Sequence, residues 1–482
     1  MYPLSLALCI NAATAWPFSL KARQSSTKAY ASSSDLSLAL SSYSVPTLNG
    51  GNQGSISKTW QLTVDDTNAG KKQAVAGFGA AITDSTVSVF NSLPGSQQSQ
   101  LLQDLFTSNG VNFNLMRHTL ASSDLSANAY TYDDANGQVD TSFNYFNLGG
   151  SGNAMTAFIA QAKAVQPEFT LLGTPWAPPG WMQLDGVLTG TTVNNNLNHD
   201  YVDSFAEYFV RYLQAFESGG AHVDAITIQN EPLNSQSGYP TMYVYADESA
   251  GLIQDNVGPA LRNAGLSTQI WAYDHNTDVP SYPQTVINGA SSYVNTVAWH
   301  CYATNNSWSV LTDFHNSNPS VTQYMTECWT SPETAWNQAA DFTMGPLQNW
   351  ASGAMAWVLG TDTNYGPHLS SGGCLDCRGL FTVDTNAGTY ELQVDYYMLG
   401  QFSKFIPRNA IVLDGTGSYD YGNGQKVEAV GTLNPDGTRT IVVENLFDEE
   451  IWLSVTMGSG EGTWNGQITG NGVTTWVLPP SS

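Results

Sequence analysis

The chain has 482 residues, with 40 Asp and Glu against 15 Lys and Arg, for a formal net charge of −25. Neutralising phosphates takes clustered Lys and Arg, so this balance excludes nucleic acid and anionic membrane surfaces and suits an uncharged substrate. Apolar residues make up 41% of the chain, enough for a sizeable core, and the length allows two or three domains or one long barrel unit.

Residues 1–15 read as a secretory leader: an apolar run, Pro3-Leu4-Ser5-Leu6-Ala7-Leu8-Cys9-Ile10, ends in the small-residue pattern Ala13-Thr14-Ala15. The chain is therefore expected to be secreted and extracellular. No later segment is apolar for long enough to span a bilayer. Residues 16–55, rich in Ser, Ala and Gly from residue 24 onward, read as an extended or loosely ordered arm. Within 56–73, Thr59-Trp60-Gln61-Leu62-Thr63-Val64 alternates polar and apolar residues, the mark of a half-buried strand that belongs to a β-domain.

From residue 74 to 405 the rhythm changes to short apolar runs separated by longer amphipathic segments. The runs are 75–81, 114–120, 169–176, 225–231, 269–273, 297–302, 324–327 and 353–359. Between them, Leu101, Leu102, Leu105 and Phe106 form one helical stripe. Phe205, Phe209, Tyr212 and Phe216 form another, with Gly219-Gly220 as its stop. Strand–helix alternation repeated eight times predicts a (β/α)8 barrel. Gly77-Phe78-Gly79, in the first run, lacks the third Gly and the ribose-binding acid of a dinucleotide fingerprint and is expected at a tight packing turn. From 406 to 482 only strands remain: the runs 427–433 and 440–446 flank the turn Asn434-Pro435-Asp436-Gly437, and 451–457 and 474–478 follow. With the strand around Trp60, they predict a side β-sandwich built from both chain ends.

A barrel places its functional groups at the carboxyl ends of its strands. Those ends carry Arg117 and, just beyond, Asp124; Trp176; Asn230 and Glu231; His300 and Tyr302; Glu327; and Trp357. Exposed aromatics, an Arg and two Glu on one rim are hard to explain as core packing. Glu231, on strand four, and Glu327, on strand seven, are the types and number of groups needed for two-carboxylate glycoside cleavage with retention. An Arg beside the nucleophile holds it ionised, a Tyr hydroxyl acts in the same direction, and Asn230 can donate to a sugar 2-OH. Trp rings offer flat apolar platforms to pyranose faces. Trp181 and His300 read as supporting or core residues. The chain has neither G-x-S-x-G nor H-E-x-x-H, which leaves serine and zinc hydrolases unsupported.

Of the cysteines outside the leader, Cys374 and Cys377 are half a metal site with nothing to complete it, and are expected to close a small disulfide loop. Cys301 and Cys328 each follow a residue assigned to the barrel interior and are expected to face outward as buried free thiols. Asn305-Asn306-Ser307 is a glycosylation sequon, with Asn305 the acceptor.

The sequence resembles glycoside hydrolase family 30, in the branch with glucosylceramidases and fungal endo-β-1,6-glucanases. The resembling stretches include Gly77-Phe-Gly-Ala-Ala-Ile-Thr-Asp84, Asn114-Leu-Met-Arg117, Thr174-Pro-Trp176, Gln229-Asn-Glu-Pro232, Trp299-His-Cys-Tyr302 and Gly400-Gln-Phe-Ser-Lys-Phe-Ile-Pro407. The resemblance implies the same barrel and side domain and a retaining mechanism. It implies Glu231 as acid/base, Glu327 as nucleophile, and Arg117, Asp124, Trp176, Asn230, Tyr302 and Trp357 around the reacting sugar. The expected substrate is a β-glucan poly- or oligosaccharide; no cofactor or metal is expected, and the protein is expected to be a monomer. His118-Thr119 and the loop 366–378 with its C-x-x-C depart from the glucosylceramidases, which bears on substrate choice. Endo action on β-1,6-glucan is the leading expectation. The alternatives are a β-glucosidase or glucosylceramidase-like activity, a xylan-cleaving one, or a carbohydrate-binding protein without turnover. If Asp124 and Trp176 enclose O6 of the reacting glucose, only chain ends fit; an open groove at O6 permits internal cleavage.

Overall fold

The computed structural model describes residues 27–52, 56–189, 195–304 and 307–481. The expected leader and Asn305 lie outside these residues. Among them no helix is long and apolar enough to cross a membrane.

The barrel strands are β1 (Gly77–Ile82), β2 (Leu115–Leu120), β3 (Thr170–Pro175), β4 (Ala225–Ile226), β5 (Gln269–Ile270 and Ala272–Asn276), β6 (Thr296–His300), β7 (Thr322–Glu327) and β8 (Ala351–Ala356). All pairings among them are parallel, and β8 pairs back to β1. The two halves of β5 face different neighbours, the first β4 and the second β6, so the sheet closes through a strand interrupted at Trp271. Every expected run overlaps a strand, with ends that, apart from run 225–231, differ by up to three residues. Run 225–231 is regular only to Ile226, and beyond it single amide bonds, Thr227 to the Gly173 carbonyl (3.2 Å) and Asn230 to that of Pro175 (2.8 Å), hold the chain against β3.

Both helical stripes are buried, on Gly95–Phe106 and Val202–Ser218, and Gly219 caps the second helix. Inside the barrel Leu115, Leu172, Ala225, Trp271, Ala298, Tyr324 and Met355 pack into one layer, as alternate residues of successive strands should. Gly77 and Gly79, expected at a turn, lie within β1. A Cβ on Gly79 would sit 2.1 Å from the Leu115 carbonyl oxygen, so these glycines serve close strand approach.

Both chain ends build the side domain. One sheet runs Ser41–Ser42, Lys28–Ser33, Gly472–Leu478, Arg439–Asn445, Gln425–Leu433, Ile411–Leu413 and Lys71–Ala74, with Ser418–Gly422 paired to Gln425–Leu433. The other runs Thr47–Leu48, Thr463–Ile468, Ile451–Met457 and Thr59–Val64, the last pair parallel. Leu62, Val64, Ile441, Leu453, Val455, Trp464 and Trp476 fill the space between them. The stretch expected as a loose arm is therefore corrected: Lys28–Ser33 forms a full antiparallel ladder with Gly472–Leu478. Its Ser and Ala side chains are small enough to pack under the helix Val394–Ser403, where Ser32 Oγ accepts from Gln401 Nε2 at 2.7 Å.

A second correction concerns the cysteines. Cys301 and Cys328 are joined as a disulfide rather than being free thiols. His300 and Glu327 are register partners on the adjacent strands β6 and β7, so the residues that follow them are neighbours, with Cα atoms 5.4 Å apart.

Gly173 in β3 faces the buried pair His118 and Tyr212, whose Nε2 and hydroxyl lie 2.5 Å apart; a Cβ there would come within 2.1 Å of the hydroxyl oxygen. Gly173→Ala is therefore expected to lower stability by about 1–3 kcal/mol. Adding Tyr212→Phe, which removes the atom struck, should recover part of that loss. Thermal melts of the single and double variants test this, and a Gly173→Ala protein that melts like the parent would contradict it.

Candidate active site

Two residues above the apolar barrel layer the same strands present Arg117, Thr174, Thr227, His300 and Thr326, all buried. Strand β5 breaks the phase. A bulge between Tyr273 and His275 sends Tyr273 outward against Tyr282 and Trp299 and turns Asp274, at φ 62°, into the polar layer. A register shift where His300 meets Glu327 likewise lets Thr326 and Glu327 both face inward.

Asp274 has no exposed surface and accepts from Arg117 Nη2 (2.9 Å), Thr174 Oγ1 (3.1 Å), Thr227 Oγ1 (2.9 Å), Thr326 Oγ1 (2.7 Å) and His300 Nε2 (3.0 Å). Burial alone opposes its charge, but Arg117, His300 and the hydroxyls outweigh it and hold the carboxyl far below the usual carboxylate range. Arg117 also donates to Glu327 Oε2 (2.5 Å) and Asn230 Oδ1 (2.7 Å). Its guanidinium carbon lies 4.9 Å from the ring centre of Trp176, which stacks on Trp357 at 5.2 Å.

Glu327 takes a second bond from the Tyr302 hydroxyl (2.9 Å). Glu231 accepts from Asn234 Nδ2 (2.7 Å) and faces His300 Nδ1 (3.3 Å), and its own amide donates to the Asp274 carbonyl (3.0 Å). Like Asp274, Glu231 has a left-handed backbone, at φ 45°. His300 thus bridges Asp274 and Glu231, with Glu327 3.8 Å away. Burial disfavours its cation, but the charges of Glu327 and Asp274 prevail and raise it to about 9. Burial pushes Glu231 up, but the hydrogen bond and charge of His300 outweigh this and bring it to about 2. Burial raises Glu327, with His300 and Arg117 opposing and Glu231 and Asp274 assisting. Asp124 is pushed up to about 7, by burial and then by Glu327.

Above these groups opens a cleft of about 260 Å³ lined by Asp124, Trp176, Asn230, Glu231, Tyr302, Glu327 and Trp357, together with Tyr239, Trp329 and Asp376. Arg117 lies beneath it. All eight barrel-rim residues expected at one site are therefore brought together. Cys374 and Cys377 are disulfide-bonded, as expected, and form part of the cleft wall. Trp181 is core, its indole donating to the Asp133 carbonyl (3.0 Å). His300, read as supporting or core, sits at the centre of the charged network. Asp274, Asn234 and Tyr239 were not anticipated. The polar triplet Asp274-His275-Asn276 at the end of the fifth run was the available signal for the first of these. One oxygen or ring nitrogen from each of Glu231, His300 and Glu327 lies within 4.8 Å of the other two. That places the two carboxyl groups at close quarters across the cleft.

This barrel matches the model of the glycosyl hydrolase family 30 TIM-barrel domain over residues 75–406. The chain belongs to glycosyl hydrolase family 30. It is 59% identical to an endo-1,6-β-D-glucanase of Neurospora crassa over 484 residues, covering 99% of each chain. With an endo-1,6-β-D-glucanase of Aspergillus fumigatus the identity is 58% over 469 residues, covering 95% of each. A solved endo-β-1,6-glucanase structure superposes with a TM-score of 0.81 at 26% identity, covering 94% of this chain and 99% of that one. The family assignment makes this chain a glycoside hydrolase, and the fold comparison extends over barrel and side domain alike.

Asp274 accepts from five buried donors, and an Asn amide nitrogen in its place would face donors instead of accepting from them. Asp274→Asn is expected to cost about 3–5 kcal/mol of stability. It should also lower the pKa of His300, which loses an adjacent anion. Denaturant unfolding and imidazole NMR titration test the two effects; a His300 still titrating near 9 would refute the stated cause.

Proposed function

We propose that this protein is a secreted, retaining endo-β-1,6-glucanase in which Glu327 is the nucleophile and Glu231 the acid/base. The observation that carries the mechanism is the closeness of the two carboxyl groups, with ligating oxygens within 4.8 Å. Retaining glycosidases hold theirs about 5–5.5 Å apart, whereas inverting ones need about 6.5–9.5 Å to admit water. The linkage is supported by the fungal relatives' names and by a cleft of stacked tryptophans suited to an uncharged polyol. Secretion is supported by the apolar leader.

The roles follow from the neighbours. Arg117 and Tyr302 both hydrogen-bond the ionised form of Glu327, as a nucleophile requires. Asn230 gives its amide oxygen to Arg117, which leaves its N–H for the sugar 2-OH. Glu231 shares a proton with His300, so the pair titrates as a unit. In the first step that proton passes through Glu231 to the glycosidic oxygen as Glu327 attacks the anomeric carbon. Esterification removes the Glu327 charge, the largest force holding the proton on His300. The pair then becomes more acidic, and Glu231 can act as base toward water. Asp124, raised by burial and by Glu327, can hold a proton and donate to a sugar hydroxyl as well as accept from one.

Glu327→Gln is expected to lose turnover by on the order of 10⁴-fold or more while still binding oligosaccharide. Glu231→Gln should lose about 10²–10⁴-fold on glucan but far less on an aryl glucoside whose leaving group needs no proton. Proton NMR of early products should show the β-anomer, and β-1,6-glucan should yield a ladder of oligosaccharides. Glucose as the sole product would argue against endo action, and unchanged turnover in Glu327→Gln would sink the mechanism.

The pH profile has a definite sign. Activity should fall on the acid side as Glu327 is protonated, at a pH above the ordinary glutamate value of 4.5. It should fall on the alkaline side as the Glu231–His300 pair loses its proton, near pH 9. Measuring kcat/KM across pH tests both limbs; an acid limb at or below the ordinary value would contradict the burial of Glu327.

A further inference from the structure

Outside the cleft lining, where the helix Gln338–Gln348 between β7 and β8 packs on the side sheet, three carboxylates converge. Glu428 and Glu444 are directly opposed register partners on Gln425–Leu433 and Arg439–Asn445, and they are only 3% and 1% exposed. Like charges directly opposite each other destabilise a sheet. Asp341, from the first turn of the helix, adds a third. One oxygen from each of the three lies within 4.8 Å of the other two.

The cation present does not balance them. Lys426, two residues before Glu428 on the same face, pairs with Asp341 Oδ1 (3.0 Å) and with Glu428. Glu444 has no ion pair of its own: neither of its buried oxygens takes a well-formed hydrogen bond, and Asn337 nearby lends its carboxylate only weak support. Burial, reinforced by Asp341 and Glu428, pushes its carboxyl up to about 8. Lys426 also acts on Glu444 from a distance, but it is already shared by Asp341 and Glu428, so a further positive charge beside Glu444 would lower the cost of burying its carboxylate.

We propose that Asp341, Glu428 and Glu444 form a calcium site that fastens the helix before β8 to the side sheet. The donor set is all oxygen, which suits a hard cation; zinc would call for His or Cys. Oxygens bound to one calcium at about 2.4 Å can stand up to about 4.8 Å apart, whereas magnesium, at about 2.1 Å in a strict octahedron, requires a tighter set. Three carboxylates and one ammonium carry two excess negative charges, which one divalent ion neutralises. Asp341, on the half-exposed side, leaves room for water to complete the shell and for the ion to enter.

The test uses the full-length protein, stripped with a chelator and dialysed near neutral pH against millimolar calcium or magnesium, with bound metal measured by atomic emission and stability by thermal melting. The wild type is expected to retain one equivalent of calcium that Glu444→Gln loses. Asp341→Asn, at a half-exposed position that should not disturb folding, is expected to bind at least about tenfold more weakly. Calcium should raise the melting temperature of the wild type and leave that of Glu444→Gln unchanged. A wild type that takes up no calcium would mean that Glu444 is simply protonated, and the proposal fails. Equal uptake by all three proteins would place the ion elsewhere and overturn it equally.

Discussion

A guanidinium with no exposed surface must find all its partners inside the protein, and around Arg117 that requirement organises the site. It takes Asp274 as counter-ion, Glu327 as second carboxylate and Asn230 as neutral acceptor, which together tie β2 to β5, β7 and the end of β4. Of the three, Asp274 is the fixed point, because it accepts from five donors and none of them faces solvent. An anion so completely satisfied can be buried, and once buried it dictates where Arg117 and His300 stand. The backbone cost is visible in the left-handed conformations of Asp274 and Glu231, each of order 1–3 kcal/mol.

The charge balance above this anchor explains how two similar glutamates come to differ. Arg117 and His300 set two cations against the three carboxylates of Asp274, Glu231 and Glu327. Asp274 takes one bond from each cation, and what remains is shared unequally. Glu327 receives the permanent cation and a phenolic hydroxyl, while Glu231 receives an imidazole whose proton can leave. A permanent charge beside one carboxylate and a titrating one beside the other divide the labour between nucleophile and proton carrier. The same division would be lost if Arg117 and His300 exchanged places, although the net charge would not change.

Most of the rim could be read from the sequence because apolar runs end where the chain reaches the cleft. Arg117, Asn230, Glu231, Tyr302 and Glu327 are all polar or amphipathic groups within, or at the end of, such a run. What escaped reading depends on where a strand breaks phase. Simple alternation from Trp271 makes Tyr273 the inward residue and Asp274 the outward one, and a bulge that reverses them has no composition of its own. The Cys301–Cys328 disulfide escaped for a related reason: alternation gives the direction of each thiol, but only the register of β6 against β7 makes them neighbours. The strand Lys28–Ser33 was hidden by its small residues, which are chosen for close packing under a helix rather than for β propensity.

The side domain is more than an appendage. Its sheet pairs Lys71–Ala74, immediately before β1, with Ile411–Leu413, which follows the barrel's exit helix, so chain entry and exit are fastened to each other. Gln401 on that helix bonds both Ser32 and Thr475, and Gln348 on the helix before β8 donates to the Ala429 carbonyl. These links are mostly neutral, short and buried. The same seam sets Asp341 of the barrel helix against Glu428 and Glu444 of the sheet, with Lys426 paired to the first two. Packing alone does not offset three carboxylates brought together in this way, so the helix is held on the sheet at an electrostatic cost that any further neutralisation would lower.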